Sequence, residues 1–504
     1  MRLRRLRLVL CFSSILTAAL PASTSVQAGP PNSSAVEIPD TPAGKLFRAW
    51  LDSFNSGDRE KILSFQSHLL AAPDPEKRVN RALGLRQQTG GFELKKIESS
   101  TANQITGVVK EKNSENLARF ELTLSDADPS RIENFGVELI SPPRPMADSA
   151  PAQRIPVKQL AGEVDAKLTK LTAEDKFSGA VLIAKDGKVL WQKAYGYADR
   201  ETKVPNTLET RFRLGSMNKM FTSVAIAQLV QQGKLKYTDT LAQVLPDYPN
   251  QEVAKKVTID NLLTHTSGLG DFFGPEFDQK RDSLHDLKDY LPLFSAKPLR
   301  FEPGKGWSYS NAGFLVLGLI VEKLSGQNYY DYVKQHIYDV AGMKSSGSFP
   351  LTLKVPNLAI GYMREDDGGP LKPNTSTLPW RGSSAGGGDS TVGDLLKFDQ
   401  ALRANKLLNS ELTRTVITGK VQPPRFPSDA KYAYGFGDKA GDGDRIVGHN
   451  GGAPGMNAQL DIHWNTGYTV VVLANLDPPA ATEWTKYISD RLPAGQDAPA
   501  SAAK

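Results

Sequence analysis

The hydrophobic pattern changes its period within the first 140 residues. Apolar positions recur at helical spacing from Asp40-Thr41-Pro42 to Phe54, after a cap residue and an early proline that suit a helix start. A second helical stretch runs to about Leu70. The period then becomes two, which predicts a meander of four strands: Phe92 to Ser100, Ile105 to Lys112, Leu117 to Ser125 and Ile132 to Ile140. Residues 40–141 are therefore predicted to form a small α+β domain.

Two helices followed by a curled sheet resemble the nuclear-transport-factor-2-like (NTF2-like) cone fold, by pattern alone. No reactive cluster of side chains is found in this domain, and its histidine, His68, is predicted to be structural. A partner-binding surface, a shield over a cleft and a dimerisation module are the roles open to it, and the sequence does not rank them.

A second, larger domain is predicted over residues 157–491, after a linker rich in proline, alanine and serine at 142–156. It opens with a hairpin, Phe177 to Gly196, that turns at Asp186-Gly187. It closes with two strands, Ala458 to His463 and Tyr468 to Ala474. Three apolar helices are predicted between them: Met217 to Gln232, Ala312 to Leu324 and Val392 to Leu402. First and last strands that share a sheet, with helices between them, predict a mixed α/β domain. Residues 492–504 are predicted to be a disordered tail.

Residues 1–28 have the pattern of a secretory signal peptide. Four arginines precede the apolar run Leu8 to Leu20, and Val26-Gln27-Ala28 fits a cleavage site. We therefore expect an exported protein, periplasmic or secreted by a general or twin-arginine route. An uncleaved signal is the alternative, and it is the one membrane contact that we predict.

Removal of this segment changes the charge and the cysteine count. The formal net charge falls from +6 to +2, and no basic run remains that would indicate nucleic-acid binding. The single cysteine, Cys11, lies inside the segment. Neither disulfides nor thiol chemistry is therefore expected in the mature chain.

The motif Ser-x-x-Lys occurs three times, but only Ser216 and Lys219 open an apolar-periodic helix. Residues three apart on a helix are neighbours, so a hydroxyl nucleophile would lie beside an amine. The unpaired amide of a serine in the first helical turn could also stabilise an oxyanion. The structural alternative is that Ser216 only caps the helix.

Lys219 can accept a proton only when it is neutral. The reference pKa of lysine is about 10.4, so work near pH 7 requires a depression of roughly three units. Burial can supply that depression, whereas a solvated lysine cannot act as the base. Partners for Lys219 are therefore expected elsewhere in the chain.

Two further motifs supply candidates. Tyr-x-Asn occurs in a plain turn at Tyr248, and again as Tyr309-Ser-Asn311 directly before an apolar helix. Tyr309 could relay protons there, and Asn311 could bond both a lysine and a substrate amide. His-x-Gly occurs once, as His449-Asn-Gly451, and is followed by Gly452. Its glycines would let a substrate backbone approach the strand edge.

Together these motifs resemble those of the penicillin-recognising serine hydrolases. That family comprises class C β-lactamases, D-alanyl-D-alanine carboxypeptidases, D-aminopeptidases and related esterases. The resemblance covers roughly Val157 to Arg491 and includes four flanking segments, which begin at Leu262, Phe301, Ser383 and Tyr434. One departure is His449, which stands where typical β-lactamases and carboxypeptidases have lysine. His-x-Gly is similar to D-aminopeptidase-like members.

The resemblance implies a β-lactamase/transpeptidase-like antiparallel sheet flanked by helices, and an acyl-enzyme cycle. Ser216 would attack a carbonyl, while Lys219 and Tyr309 take and relay its proton. The backbone amides of Ser216 and Gly452 would hold the oxyanion. Asn311 would orient the substrate, and His449 beside Gly451 would support Tyr309 or contact a substrate carboxylate.

The expected substrate is therefore a small molecule or peptide with an ester or amide carbonyl, and neither a metal nor a cofactor is required. An esterase or D-amino-acid peptidase is favoured over a strong β-lactamase. A β-lactamase or D-alanyl-D-alanine carboxypeptidase is one alternative. A penicillin-binding or sensor protein without turnover is another.

Other polar residues have structural explanations. His265 is predicted to bond its own loop, and His285, His336 and His463 have no partner at metal-ligand spacing. Gly382-Ser-Ser384-Ala-Gly386 matches the α/β-hydrolase nucleophile elbow formally, but it lacks the strand and helix which that turn requires. It is predicted to shape a loop at the cleft rim. Three aromatic residues are predicted either to wall the site or to belong to the core: Trp307, Trp380 and Tyr434.

Overall fold

The computed structural model divides the chain into two compact units, Met1–Ser141 and Pro142–Lys504. It describes residues 36–69, 75–113, 117–125, 128–139, 152–364, 369–424, 426–441 and 443–494. The predicted signal peptide lies outside the described residues, as do most of the predicted linker and tail.

The first unit packs helices on an antiparallel sheet. Its helices are α1 (Pro42–Ser56), α2 (Arg59–Gln66) and α3 (Pro75–Thr89). Its strands, which pair in sequence order, are β1 (Phe92–Ser100), β2 (Gln104–Glu111), β3 (Leu117–Leu124) and β4 (Ile132–Leu139). Phe47 of α1 stacks on Phe120 of β3 with ring centroids 3.7 Å apart, which fixes the helix on the sheet.

The four strands match the predicted meander, but α3 was not predicted. Its sequence, PEKRVNRALGLRQQT, contains few apolar residues, so it gives little signal at helical spacing. Val79 is fully buried. His68 lies near the surface, with its ring Nδ1 3.3 Å from the Ser130 carbonyl oxygen.

The second unit is built on a seven-stranded antiparallel sheet. The strands of the whole unit, in the large sheet and in smaller ones, are β5 (Gly179–Lys185), β6 (Lys188–Tyr195), β7 (Tyr197–Asp199), β8 (Val204–Pro205), β9 (Phe212–Gly215), β10 (Tyr362–Met363), β11 (Lys372–Pro373), β12 (Gly388–Ser390), β13 (Ala430–Tyr432), β14 (Gly437–Gly441), β15 (Asp444–Ala453), β16 (Met456–His463) and β17 (Tyr468–Ala474). The large sheet has the order β13-β14-β15-β16-β17-β5-β6. Val181 of β5 pairs with Val472 of β17. The prediction that the first and last strand pairs share a sheet is therefore confirmed.

Helices cover both faces of this sheet. They are α4 (Val157–Ala173), α5 (Asn218–Gln231), α6 (Leu241–Val244), α7 (Gln251–Lys256), α8 (Ile259–Leu263), α9 (Pro275–Lys280), α10 (Asn311–Ser325), α11 (Tyr329–Val333), α12 (Asp339–Ala341), α13 (Val392–Arg403), α14 (Ser410–Ile417) and α15 (Thr482–Ser489). Short 3₁₀ segments lie at Arg281–Ser283, Leu287–Leu293 and Thr375–Thr377, and a π-helical turn lies at Lys334–Tyr338. No helix in the described part of the chain is long and apolar enough to cross a bilayer.

Two apolar clusters form the core of the unit. The smaller packs α4 and α15 on one sheet face, and the larger surrounds α5 and α10 on the other. All residues of α5 from Asn218 to Leu229 are buried, including the polar side chains of Asn218, Lys219 and Gln228, so this helix lies in the centre of the unit. Leu492 is buried in the smaller cluster and Ile155 packs against it, so ordered structure extends beyond the predicted limits of 157 and 491.

Candidate active site

Ser216 lies between strand β9 and helix α5. Gly215, at φ 53°, turns the chain out of the strand, and the Lys219 amide donates to the Ser216 carbonyl oxygen at 3.0 Å. The helix itself begins at Asn218, so Ser216 precedes the first turn in which it was predicted. The Lys219 Nζ nevertheless lies 3.3 Å from the Ser216 Oγ.

The Lys219 side chain is fully buried among neutral groups. Its Nζ contacts the Asn311 Oδ1 at 2.8 Å and the Ala385 carbonyl oxygen at 2.5 Å, and it lies 4.7 Å from the centre of the Tyr309 ring. Burial lowers the pKa of Lys219 to about 7, and the Asp271 carboxylate opposes that shift. Near neutral pH a substantial fraction of the amine is therefore uncharged and able to accept a proton.

The carbonyl that contacts Lys219 comes from the segment with the formal nucleophile-elbow pattern. Ser384 is fully buried, and its Oγ has no hydrogen-bond partner in the described structure. The carbonyl oxygens of Ser383 and Ser384 accept from Asn218 and Thr222 of α5, at 2.8 and 2.7 Å. The segment is a loop, as predicted, but it does not line the cleft rim: it is a buried support for helix α5.

Tyr309 and Asn311 reach the same point from the start of α10, where Ser310 caps the helix. Burial raises the pKa of the Tyr309 phenol, and the nearby Ser216 side chain opposes that shift. The Asn311 Nδ2 donates to the Asp271 Oδ2 at 2.8 Å. Because Asp271 accepts from the amide nitrogen, the amide oxygen of Asn311 faces Lys219.

A chain of hydrogen bonds connects the start of α10 to the third motif. The Ser310 amide donates to the His265 Nδ1 at 3.1 Å, and the His265 Nε2 lies 3.0 Å from the Tyr432 Oη. Tyr432 continues to the His449 Nε2 at 3.1 Å, and the His449 Nδ1 lies 2.5 Å from the Asn450 carbonyl oxygen.

The direction of this chain follows from its ends. A backbone amide can only donate, so the Nε2 of His265 bears the proton and donates to Tyr432. Tyr432 then donates to His449, and the remaining His449 proton goes to the Asn450 carbonyl oxygen. Burial, with the nearby Lys219 charge, lowers the pKa of His265 well below its usual value and that of His449 to about 4. Both imidazoles are therefore neutral at pH 7.

These contacts change two predictions. His265 does not bond its own loop through its ring, which contacts Ser310 and Tyr432 instead. Within the described residues, the ring of His449 forms hydrogen bonds with Tyr432 and Asn450, and not with Tyr309. With both ring nitrogens engaged, His449 is placed to stiffen strand β15.

Glycines bring β15 against the nucleophile segment. A Cβ at Gly451 would lie 1.8 Å from the Leu214 carbonyl oxygen and 2.9 Å from the Ser216 nitrogen, so only glycine fits. A Cβ at Gly215 would lie 3.0 Å from the Gly452 nitrogen. The two predicted oxyanion amides, those of Ser216 and Gly452, are thus near neighbours across this contact.

A cleft of about 690 Å³ opens over Ser216. Trp307, Tyr309 and Phe426 line it, and among the described lining residues Asp477 is the only one with a carboxylate, lysine or arginine side chain. Trp380 and Tyr434 do not line it: Trp380 stacks on His285, and Tyr434 donates to Asp260 at 2.6 Å. Within the described residues, no group of three or more His, Cys, Asp or Glu is placed to hold a metal ion.

Comparison with known proteins agrees with this geometry. Residues 164–492, more than half of the chain, match the family model described as Beta-lactamase. The chain belongs to the Beta-lactamase family. The predicted resemblance and the predicted fold of the second unit are thereby confirmed, and the protein is a serine hydrolase of this family.

Proteins that are similar to this chain carry several different names. The crystal structure of a penicillin binding protein from Bacillus halodurans superposes with a TM-score of 0.57 at 34% identity, over 64% of this chain and 98% of that one. Esterase EstB from Burkholderia gladioli is 36% identical over 37% of this chain and 51% of its own length. A D-aminopeptidase from Brucella anthropi is 29% identical over 56% of this chain and 52% of its own length.

Three contributors to this Beta-lactamase family site were not predicted from the sequence: Asp271, Tyr432 and the Ala385 carbonyl. Asp271 follows a matched motif segment by two residues, a weak signal at best. Tyr432 alternates with Tyr434 in a pattern that fits any half-buried strand, and a backbone carbonyl has no sequence signature.

Proposed function

We propose that the protein hydrolyses an ester, amide or peptide bond through an acyl-enzyme on Ser216. The observation that carries this proposal is the buried Lys219 amine, 3.3 Å from the Ser216 hydroxyl with its pKa lowered to about 7. A merely structural lysine would gain from an ion pair, whereas this one contacts a carbonyl, an amide and a hydroxyl.

In the proposed acylation step, the Ser216 Oγ attacks the substrate carbonyl while its proton passes to Lys219. The Asn311 and Ala385 oxygens hold the amine in place and stabilise the ammonium that forms. Negative charge on the tetrahedral intermediate is taken up by the backbone amides of Ser216 and Gly452.

Tyr309 is the proposed proton donor to the leaving group. Ser216 influences the pKa of the phenol and the ring lies against the Lys219 amine, so in this proposal a proton passes from the ammonium through the phenol. The raised pKa of the phenol keeps it protonated until that moment. Water then attacks the ester, with the same groups acting in reverse, and releases the acid.

The charge of the cleft favours substrates without a carboxylate. None of the described residues that line it is a lysine or arginine, His449 is neutral at pH 7, and Asp477 contributes negative charge. A β-lactam or a C-terminal D-alanyl peptide bears a carboxylate that would lie in this field unpaired. Relatives named as an esterase and a D-aminopeptidase agree with this preference. We therefore propose an esterase or D-amino-acid peptidase, exported by its N-terminal segment.

The proposal is tested by a hydrolysis screen with p-nitrophenyl esters, D-alanyl amides, nitrocefin and D-alanyl-D-alanine peptides. We expect turnover of the first two classes and weak or no turnover of the carboxylate-bearing pair. Efficient nitrocefin turnover would favour the β-lactamase alternative. A stoichiometric burst without turnover would favour the sensor alternative.

Labelling with a fluorophosphonate probe, read by mass spectrometry, locates the nucleophile. We expect the label on Ser216 and its loss in Ser216→Ala. Ser384→Ala is the matched control, because Ser384 is the centre of the competing Gly-x-Ser-x-Gly pattern. We expect no label on Ser384, so this variant should be labelled on Ser216 as the unmodified protein is. Retained labelling in Ser216→Ala would refute the proposed nucleophile.

A further inference from the structure

A second cavity of the enzyme unit, about 230 Å³ in volume, shares no lining residue with the catalytic cleft. We call it the basic pocket, because four cationic side chains line it: Arg211, Lys334, Lys344 and Arg381. Asp331 is the only carboxylate among the described residues that line it. The electrostatic potential of the cavity therefore favours a negatively charged occupant.

Arg381 is held rigidly at this pocket. Its Nε donates to the Ser348 carbonyl oxygen at 2.8 Å, and its guanidinium carbon lies 3.4 Å from the centre of the Tyr330 ring. Burial lowers the pKa of the guanidinium, although Tyr330, Asp331 and Asp286 oppose that effect.

No carboxylate lies within ion-pair distance of Arg381 in the part of the chain that the structure describes. A partly desolvated cation without an ion-pair partner is costly, and an anionic ligand would reduce that cost. The fixed planar guanidinium also presents its terminal N–H groups as a ready fork for two oxygens.

Two of the other cations are incompletely neutralised. Arg211 lies 3.7 Å from Asp389, a long contact, and burial raises the pKa of that carboxyl to about 7. Lys344 is exposed and has no ion-pair partner among the described residues. Lys334, by contrast, pairs with Asp339 at 2.8 Å. Positive charge therefore remains at the pocket after these internal pairs are counted.

We propose that the basic pocket binds a small oxyanion, a carboxylate or phosphate group, with Arg381 as its main ligand. The cavity holds several times the volume of one water molecule, about 30 Å³, so the anion can be attached to a small body. The inference does not depend on the proposed hydrolysis.

The pocket also contacts the support of the catalytic helix. Asn218 lines it, and its Nδ2 donates to the Ser383 carbonyl oxygen at 2.8 Å. Lys219 follows Asn218, and Ala385 lies two residues after Ser383. The Lys219 Nζ donates to the Ala385 carbonyl oxygen at 2.5 Å. A bound anion would thus lie beside Asn218, the residue that directly precedes the proposed catalytic Lys219.

Isothermal titration at constant ionic strength tests the proposal with two probes, inorganic phosphate and malonate. We expect saturable binding of at least one probe at a single site, and the preferred probe identifies the source chemistry. Arg381→Gln should weaken binding roughly 10- to 100-fold, as loss of a charge-assisted hydrogen bond predicts. Arg381→Lys should have a smaller effect, and so should Lys344→Gln, whose exposed side chain does not threaten folding.

Arg491→Gln is the matched control. Its guanidinium also stacks on a tyrosine, 3.8 Å from the centre of the Tyr487 ring, but it does not line the pocket. This variant should bind the probe as the unmodified protein does. The proposal is overturned if neither probe binds at millimolar concentration, or if the Arg381 and Arg491 variants bind equally well.

Discussion

Two serine hydroxyls of the enzyme unit, one half-buried and one buried, lie beside a base in different regions of the fold. Ser216 contacts Lys219 at the cleft, whereas Ser489 ends helix α15 with its Oγ 3.1 Å from the His463 Nε2. The His463 Nδ1 lies 2.7 Å from the Asp444 Oδ2. The order Ser-His-Asp looks more like a hydrolytic triad than the Ser-Lys pair does, and a cavity of about 250 Å³ adjoins it.

The two serines differ in the group that accepts a hydrogen bond from the hydroxyl. The Ser489 Oγ donates to the Asp461 Oδ2 at 2.8 Å, so a carboxylate holds the proton that a nucleophile would transfer to its base. Although burial opposes it, hydrogen bonds from His463 and Thr466 lower the pKa of Asp444 to about 2. The cluster therefore ties α15 to the β16–β17 turn.

At Ser216 the neighbouring base is an amine that can be neutral, and the opposing strand is glycine backbone. The contrast teaches that a serine beside a base is not sufficient for nucleophilic catalysis. The base must be able to receive the proton, and amides must lie where the oxyanion forms.

The largest difference is expected when the base beside each serine, Lys219 or His463, is replaced. Lys219→Gln removes the proton acceptor and should lower kcat/KM roughly 10²- to 10⁴-fold, as loss of a general base does. His463→Gln removes the other base and should leave kcat/KM unchanged. Ester hydrolysis by both variants, with circular dichroism as the control for folding, provides the measurement. A large loss in the His463 variant with its fold intact would mean that the second cluster is catalytic.

Tyr432→Phe should lower kcat/KM about tenfold, or roughly 1.4 kcal/mol, because His449 loses its donor and β15 loosens beside Gly452. The same change should lower the free energy of unfolding by about 1–3 kcal/mol, since buried imidazole nitrogens lose their partners. Tyr434→Phe is the control: it loses one hydrogen bond to Asp260, outside the cleft. Equal kinetic losses in the two variants would reduce Tyr432 to a structural residue.

The pH profile of kcat/KM should fall toward acid with a midpoint near the Lys219 pKa of about 7, since protonation removes the base. The Asp271 carboxylate raises that pKa, so Asp271→Asn should move the midpoint to lower pH, by roughly one unit or less. Asp278→Asn is the control. The Asp278 carboxylate does not contribute to the shift of the Lys219 pKa, so the midpoint should stay in place. A shift toward higher pH would contradict the electrostatic role of Asp271.

The smallest effect on activity is expected at the second serine. Ser489→Ala should leave hydrolysis unchanged while it lowers the free energy of unfolding by about 1–2 kcal/mol, because Asp461 and His463 both lose a partner. Denaturant titration and ester hydrolysis measure the two quantities. Fluorophosphonate labelling of Ser489 in the unmodified protein would contradict the assignment of this cluster as structural.

Much of the fold could be predicted from period alone. The four-stranded meander and the three apolar helices lie within a few residues of their predicted bounds, since alternation marks the strands and long runs rich in apolar residues mark the helices. Helix α3 was missed because its residues are mostly polar. The site motifs were predictable because serine and lysine must be three residues apart on one segment for the hydroxyl to reach the amine.

What the sequence determined by itself is therefore local: the positions of the elements, the spacing of Ser216 and Lys219, and the glycines that allow close approach. Tertiary structure alone decided which serine has a base able to accept its proton. Burial, hydrogen-bond direction and the choice of partners arise from segments far apart in the chain, such as Ala385, Asp271 and Tyr432. No local pattern encodes those contacts, because the dielectric environment of a group depends on everything that packs around it.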